Sequence, residues 1–209
     1  MSRFAAVVRG VIVTPPVPLE ERPCPDQYVG TLGQLRIDGM IASRSASSTR
    51  PNHGAVLLVL ESPHTSEFKH PLGPAKGNTG RLIAKHALSV PGLQGKDNAS
   101  LVLINAIQYQ CSLGETPNRH RDEVFFAAWQ EFGRSDFVAR LKATYQANDL
   151  VVCACTKGGD GEVSKSLRQL VYAAIVDALP KGAQILRRTH PSSWYSQKNR
   201  DYEWAAANV

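Results

Sequence analysis

The chain has 209 residues, 43% of them hydrophobic and 20% charged, which suits one substantial core and argues against a disordered polar chain. Its net charge of +6 favours a polyanionic partner. Its four cysteines, Cys24, Cys111, Cys153 and Cys155, form no Cys-x-x-Cys pair, so structural zinc is not expected.

Residues 1–54 read as an N-terminal extension. Val11-Ile12-Val13 predicts a strand, the prolines from Pro15 to Pro18 predict extended chain, and Gly30 to Met40 predicts a turn with a short edge strand. Ala42 to His53, carrying Ser43, Ser45, Ser47, Ser48, Arg44 and Arg50, reads as a mobile basic loop. The apolar start of the chain is broken by Arg9 and lacks a cleavage pattern, so no signal peptide is expected. No run reaches the roughly 20 apolar residues of a membrane helix, and a cytoplasmic protein is the expectation.

From residue 55 to 209 the pattern is that of one domain. Ala55 to Leu60 is a continuous apolar run, too short for a typical helix, which predicts a strand buried on both faces. Gly80 to Ser89 predicts a helix, Leu101 to Ile104 a second strand, and Asp122 to Phe132 a further helix. Phe137 to Gln146 predicts another helix with Ser135 as its N-cap. Leu150 to Ala154 predicts the third strand, with Cys153 acting as a small hydrophobe. A helix with apolar spacing from Val163 to Ala178 ends at Pro180 and Gly182, and Gln184 to Leu186 predicts the fourth strand. Strands alternating with helices predict an α/β fold, a three-layer α/β/α sandwich with a central four-stranded parallel sheet.

In a parallel sheet the residues just past each strand share one edge, and open α/β folds bind ligands there. Four segments qualify: Glu61 to His64, Asn105 to Tyr109, Thr156 to Gly161 with Lys157, and His190 to Trp194. A carboxylate, an amide, a flexible loop and an imidazole are thereby expected around one crevice.

The order of these motifs resembles the uracil-DNA glycosylase superfamily over roughly residues 55 to 200. Leu60-Glu61-Ser62-Pro63-His64 is similar to the family's GQDPYH or GEAPG motif, and Gly73 to Leu82 resembles the loop and helix start that follow it. Leu103-Ile104-Asn105-Ala106-Ile107 is similar to LLNAV, and His190-Pro191-Ser192-Ser193-Trp194 to HPSPL. The resemblance implies a monomeric enzyme of DNA repair that flips a nucleotide into a pocket and hydrolyses its N-glycosidic bond. The partner it implies is DNA, single-stranded DNA included.

Carried over residue by residue, the resemblance sets His190 against the O2 of uracil and gives Asn105 the pairing with N3–H and O4. Ser62 stands where one branch has the water-activating Asp, whereas Glu61 matches the Glu of GEAPG. Side chains alternate along extended chain, so one of the two is expected to face the crevice. Glu67 or His64 could supply the base instead, and His64 also lies where the family's Tyr excludes a thymine methyl. Ala75 replaces a stacking aromatic, leaving Phe68 or Tyr109 for that duty, or a pocket for a larger base.

Gly77 belongs to a loop whose backbone amides could approach a phosphate. It is not a Walker A loop, since Gly-Lys-Ser/Thr is missing. Ser192 is expected on a phosphate and Trp194 as the wedge that fills the gap left by the flipped nucleotide. The cysteines lack the spacing of the family's iron–sulfur members, and no metal or other cofactor is expected. Two alternatives stay open: an inactive nucleic-acid-binding module on the same fold, and a nucleoside or nucleotide hydrolase. No Gly-x-Ser-x-Gly elbow supports a serine hydrolase.

Overall fold

The computed structural model describes residues 2–15, 18–52, 54–113, 120–157 and 166–206. It is a mixed α/β fold built on a six-stranded sheet in the order β2-β1-β4-β3-β5-β6. Strands β3 (Val56–Leu60), β4 (Ser100–Asn105), β5 (Leu150–Cys153) and β6 (Gln184–Arg187) pair in parallel. Strand β1 (Gln27–Thr31) joins β4 antiparallel, and β2 (Ser45–Ala46) joins β1.

Continuous apolar runs become strands here because both faces of the sheet are covered. Leu57 and Val59 of β3, Val102 and Ile104 of β4, and Val151 and Cys153 of β5 enter one core cluster. Helices α1 (Arg3–Val11), α4 (Arg121–Ala128), α5 (Arg134–Thr144) and α6 (Leu167–Ala178) contribute to the same cluster. The alternate residues, Val56, Leu58, Leu60, Leu101, Leu103, Leu150 and Val152, pack with α2 (Leu32–Asp38) and α3 (Asn78–His86) in a second cluster. A period of two along each strand thus splits the core into two halves on opposite faces.

The N-terminal stretch differs most from expectation. Val11 ends a helix instead of opening a strand, and Phe4, Ala5 and Val8 of that helix are buried. The Gly30 to Met40 stretch supplies the end of β1, and Thr31 caps α2 by accepting from the Gln34 amide. The expected mobile basic loop contains the buried Arg50, whose guanidinium meets Asp149 at 2.5 Å and Thr144 O at 3.0 Å. Asp149 also accepts from the amides of Ala55 and Gln146, both at 2.8 Å, and so ties the entries to β3 and β5 together.

Ser135 is not an N-cap. A π turn at Trp129–Gly133 carries α4 into α5, and the Ser135 hydroxyl donates back to Phe132 O. Gly133 sits in that turn because a Cβ there would run into Ile107 Cδ1. Helix α6 starts at Leu167 behind a capping box of Ser166 and Gln169; Val163 lies outside the described residues. A short α7 (Gln197–Asp201) follows β6. Among the described residues no helix is long and apolar enough to cross a membrane.

The order of the parallel strands fixes where a crevice opens. The chain passes from β3 to β4 on one side, then crosses to β5 on the other side of β3. This reversal is the switch point at which open α/β sheets carry ligands, beyond the carboxyl ends of the strands.

Candidate active site

A cavity of about 530 Å³ lies at that edge, lined by Glu61, Glu67, Asn105, Arg121, Thr156 and His190 among others. The expected convergence is therefore present: the residues leaving β3, β4, β5 and β6 meet at one cavity.

Glu61 is buried at the end of β3. Its Oε2 accepts from the Thr156 hydroxyl, and its Oε1 lies 3.2 Å from Nε of Arg121. Burial pushes its pKa above the ordinary carboxylate value, opposed by the Arg121 cation and the Thr156 hydrogen bond. Arg121 begins α4, also contacts Asp122 at 2.7 Å, and was not singled out by motif reasoning. Its only sequence signal is a cation at a helix start, an unfavourable place unless an anion compensates. Ser62 lines the cavity as well as Glu61, because the chain bends out of the strand at this point and alternation no longer holds.

His190 precedes the short turn Pro191–Ser193, and its Nδ1 accepts from the Ser192 amide at 3.2 Å. An amide can only donate, so Nδ1 is bare and the neutral ring carries its proton on Nε2. The Ser192 hydroxyl, 2.8 Å from the same nitrogen, fits this tautomer. Burial, then the Arg121 charge, lowers the His190 pKa to about 4, so the ring is a neutral N–H donor at physiological pH. Ser192 is exposed and also lines the cavity.

Asn105 ends β4 and is 1% exposed. Arg140 holds its backbone carbonyl at 3.0 Å while also binding both oxygens of Asp26. Its side-chain Nδ2 donates to Sγ of Cys24 at 3.8 Å. Cys24 is thus a neighbour of the site that the cysteine spacing did not reveal, its thiol pushed up to about 12 chiefly by burial.

Gly77 is the N-cap of α3, and with Asn78 and Thr79 it turns the helix start towards the cavity. His64 lines the cavity from an exposed position, its Nδ1 3.2 Å from the Thr65 hydroxyl.

Other expected roles are not supported. Trp194 is 0% exposed, packs in the second core cluster and donates from Nε1 to Thr189 O at 3.0 Å, so it cannot act as an exposed wedge. The next residue, Tyr195, is exposed instead. Tyr109 stacks on Phe4 with ring centroids 4.8 Å apart and meets Phe132 edge-on, so it is half-buried against the core and does not line the cavity. Phe68 is half-buried and, like Lys157, is not among the cavity-lining residues. Lys157 is exposed, and Gly158 to Gly161 lie outside the described residues. Comparison of the chain with protein-family models, with curated proteins and with solved structures gives no match.

Proposed function

We propose that the protein is a DNA glycosylase that flips uracil, or a related altered base, into this cavity and hydrolyses its N-glycosidic bond. The observation that carries the reading is the meeting of Glu61, Asn105 and a neutral His190 around one cavity of about 530 Å³, roomy enough for a base with its sugar, at the sheet's switch point. A departing base develops negative charge and its sugar positive charge. Nε2–H of His190 answers the first. Glu61, with one oxygen against Arg121 and the other against Thr156, is suited to the second as a fixed carboxylate. The N-terminus of α3 at Gly77 suits a backbone phosphate.

The finer architecture we infer is a three-layer α/β/α sandwich around the four parallel strands, supported by the two core clusters on opposite faces. The burial of Trp194 favours a substrate that needs no wedge there, single-stranded DNA first. A free nucleoside is the second reading, on the same ground.

The test is incubation with single- and double-stranded oligonucleotides carrying uracil, hypoxanthine or xanthine, followed by alkaline cleavage. Strand scission at the altered base is expected, reduced about 100-fold or more by His190→Ala and by Asn105→Ala. Oligonucleotide binding without scission on any substrate would make the protein a binding module. Release of base from nucleosides alone would make it a nucleoside hydrolase.

A further inference from the structure

Two buried oxygens stand out among the residues that line this cavity. Oε2 of Glu67 and Oδ1 of Asn105 are buried and have no hydrogen-bond partner among the described residues. Both residues line the cavity, and both are more than nine-tenths buried. Buried polar atoms are nearly always paired, so two orphans at one cavity point to a ligand that completes them.

The amide of Asn105 presents only half of its capacity. Its Nδ2 is turned to Cys24 Sγ, and its side chain lies within hydrogen-bonding reach of the Glu67 carboxyl. What remains for a ligand is the acceptor Oδ1, which suits a ring N–H. A second group must therefore meet whatever adjoins that N–H. Glu67 is fixed for this on the turn Thr65–Phe68, where its amide donates to His64 O at 2.8 Å and its carbonyl accepts from the Gly73 amide at 3.0 Å.

We propose that Glu67 is a specificity-determining residue: its protonated carboxyl donates to a base carbonyl while Oδ1 of Asn105 accepts the adjacent ring N–H, so the cavity takes bases with a lactam edge. Uracil has this edge; cytosine, with an unprotonated ring nitrogen beside an amino group, does not. The inference rests on the cavity being a nucleobase site, though not on turnover.

The surroundings of Glu67 favour its neutral form. Burial raises its pKa to about 7, against hydrogen bonds at the backbone of Ala75 and His64, the Asn105 side chain and the Arg44 charge. Arg44 comes from the loop before β2, with its own pKa lowered mainly by burial, and Cys24 from the loop before β1 stays an uncharged thiol. Elsewhere on the cavity wall Glu61 is occupied by Arg121 and Thr156, and His190 is neutral.

The experiment is calorimetric titration of the whole protein with free uracil and with cytosine at about pH 5.5 and about pH 8.5, for wild type, E67Q and E67A. Wild-type affinity for uracil is expected to fall about thirtyfold at the higher pH, the loss of protonated carboxyl for a group titrating near 7. E67Q, which keeps a donor at that position, is expected to bind with one affinity at both pH values. E67A is expected to bind weakly at both, with its folding checked by thermal melts.

Uracil binding that ignores pH in the wild type, cytosine binding as tight as uracil, or E67A equal to wild type would each overturn the proposal. So would a wild type that binds neither base. Proton-dependent uracil binding without strand scission would retain the specificity role and remove the glycosylase. Scission with a pH-independent affinity for uracil would do the reverse.

Discussion

Single residues decide what this cavity can offer a ligand. His190 keeps its Nε2 hydrogen because a backbone amide occupies Nδ1, and its pKa near 4 keeps the ring uncharged over the working range. Glu67 carries the opposite signature, a carboxyl held neutral well above its ordinary range. The cost to stability has a definite sign. Below pH 4.5 the residue is protonated both folded and unfolded; between 4.5 and about 7 the unfolded chain ionises while the folded one holds its proton. Stability is therefore lost as pH rises through that window and the loss is complete above it. Gln at this position does not titrate. At about 1.4 kcal/mol for each pH unit, E67Q is expected to gain up to about 3 kcal/mol relative to wild type between pH 4.5 and pH 8. Denaturant unfolding of both proteins at the two pH values measures this, and a difference that does not change with pH would show Glu67 to be ionised in the fold.

Elements hold these residues by their ends. The C-terminal end of β4 is clamped by Arg140, which spans the carbonyls of Asn105 and Ala106 and the carboxylate of Asp26. At the opposite edge Arg50 and Asp149 fasten the entries to β3 and β5. That ion pair is almost fully buried, so removing one partner strands a charge. Arg50→Ala is expected to destabilise the fold by about 3–5 kcal/mol, read as a shift in the urea midpoint at constant slope. A loss below about 1 kcal/mol would mean that Asp149 finds water or another cation.

For the whole molecule, the parallel core was legible because strands covered on both faces must be apolar at every position, which β3, β4 and β5 are. The convergence of Glu61, Asn105 and His190 followed from chain direction alone. Residues 2–54 were not legible, for separate reasons. Helix α1 includes β-branched residues and Gly10, β1 carries Gly30 at φ +104°, and Arg50 finds its partner 99 residues away. No local pattern encodes such a pairing. Arg121 and Cys24 were missed likewise, since burial beside a carboxylate or an amide is a property of the assembled fold. The net charge of +6 bears on partners at this scale. Binding to an unmodified single-stranded oligonucleotide is expected to weaken with salt, with a log–log slope of about −0.7 per phosphate contacted. A flat salt titration would remove DNA from consideration while leaving a nucleoside possible.

The indole of Trp194, sunk in the core and bonded to Thr189 O, anchors the segment that presents His190 and Ser192, while Arg200 and Asn199 of α7 grip the same segment from outside. A segment so moored is a poor candidate for a flap that folds over its guest. The imidazole is held in place before any ligand arrives, and the entropy of arranging it is spent during folding, not at each encounter.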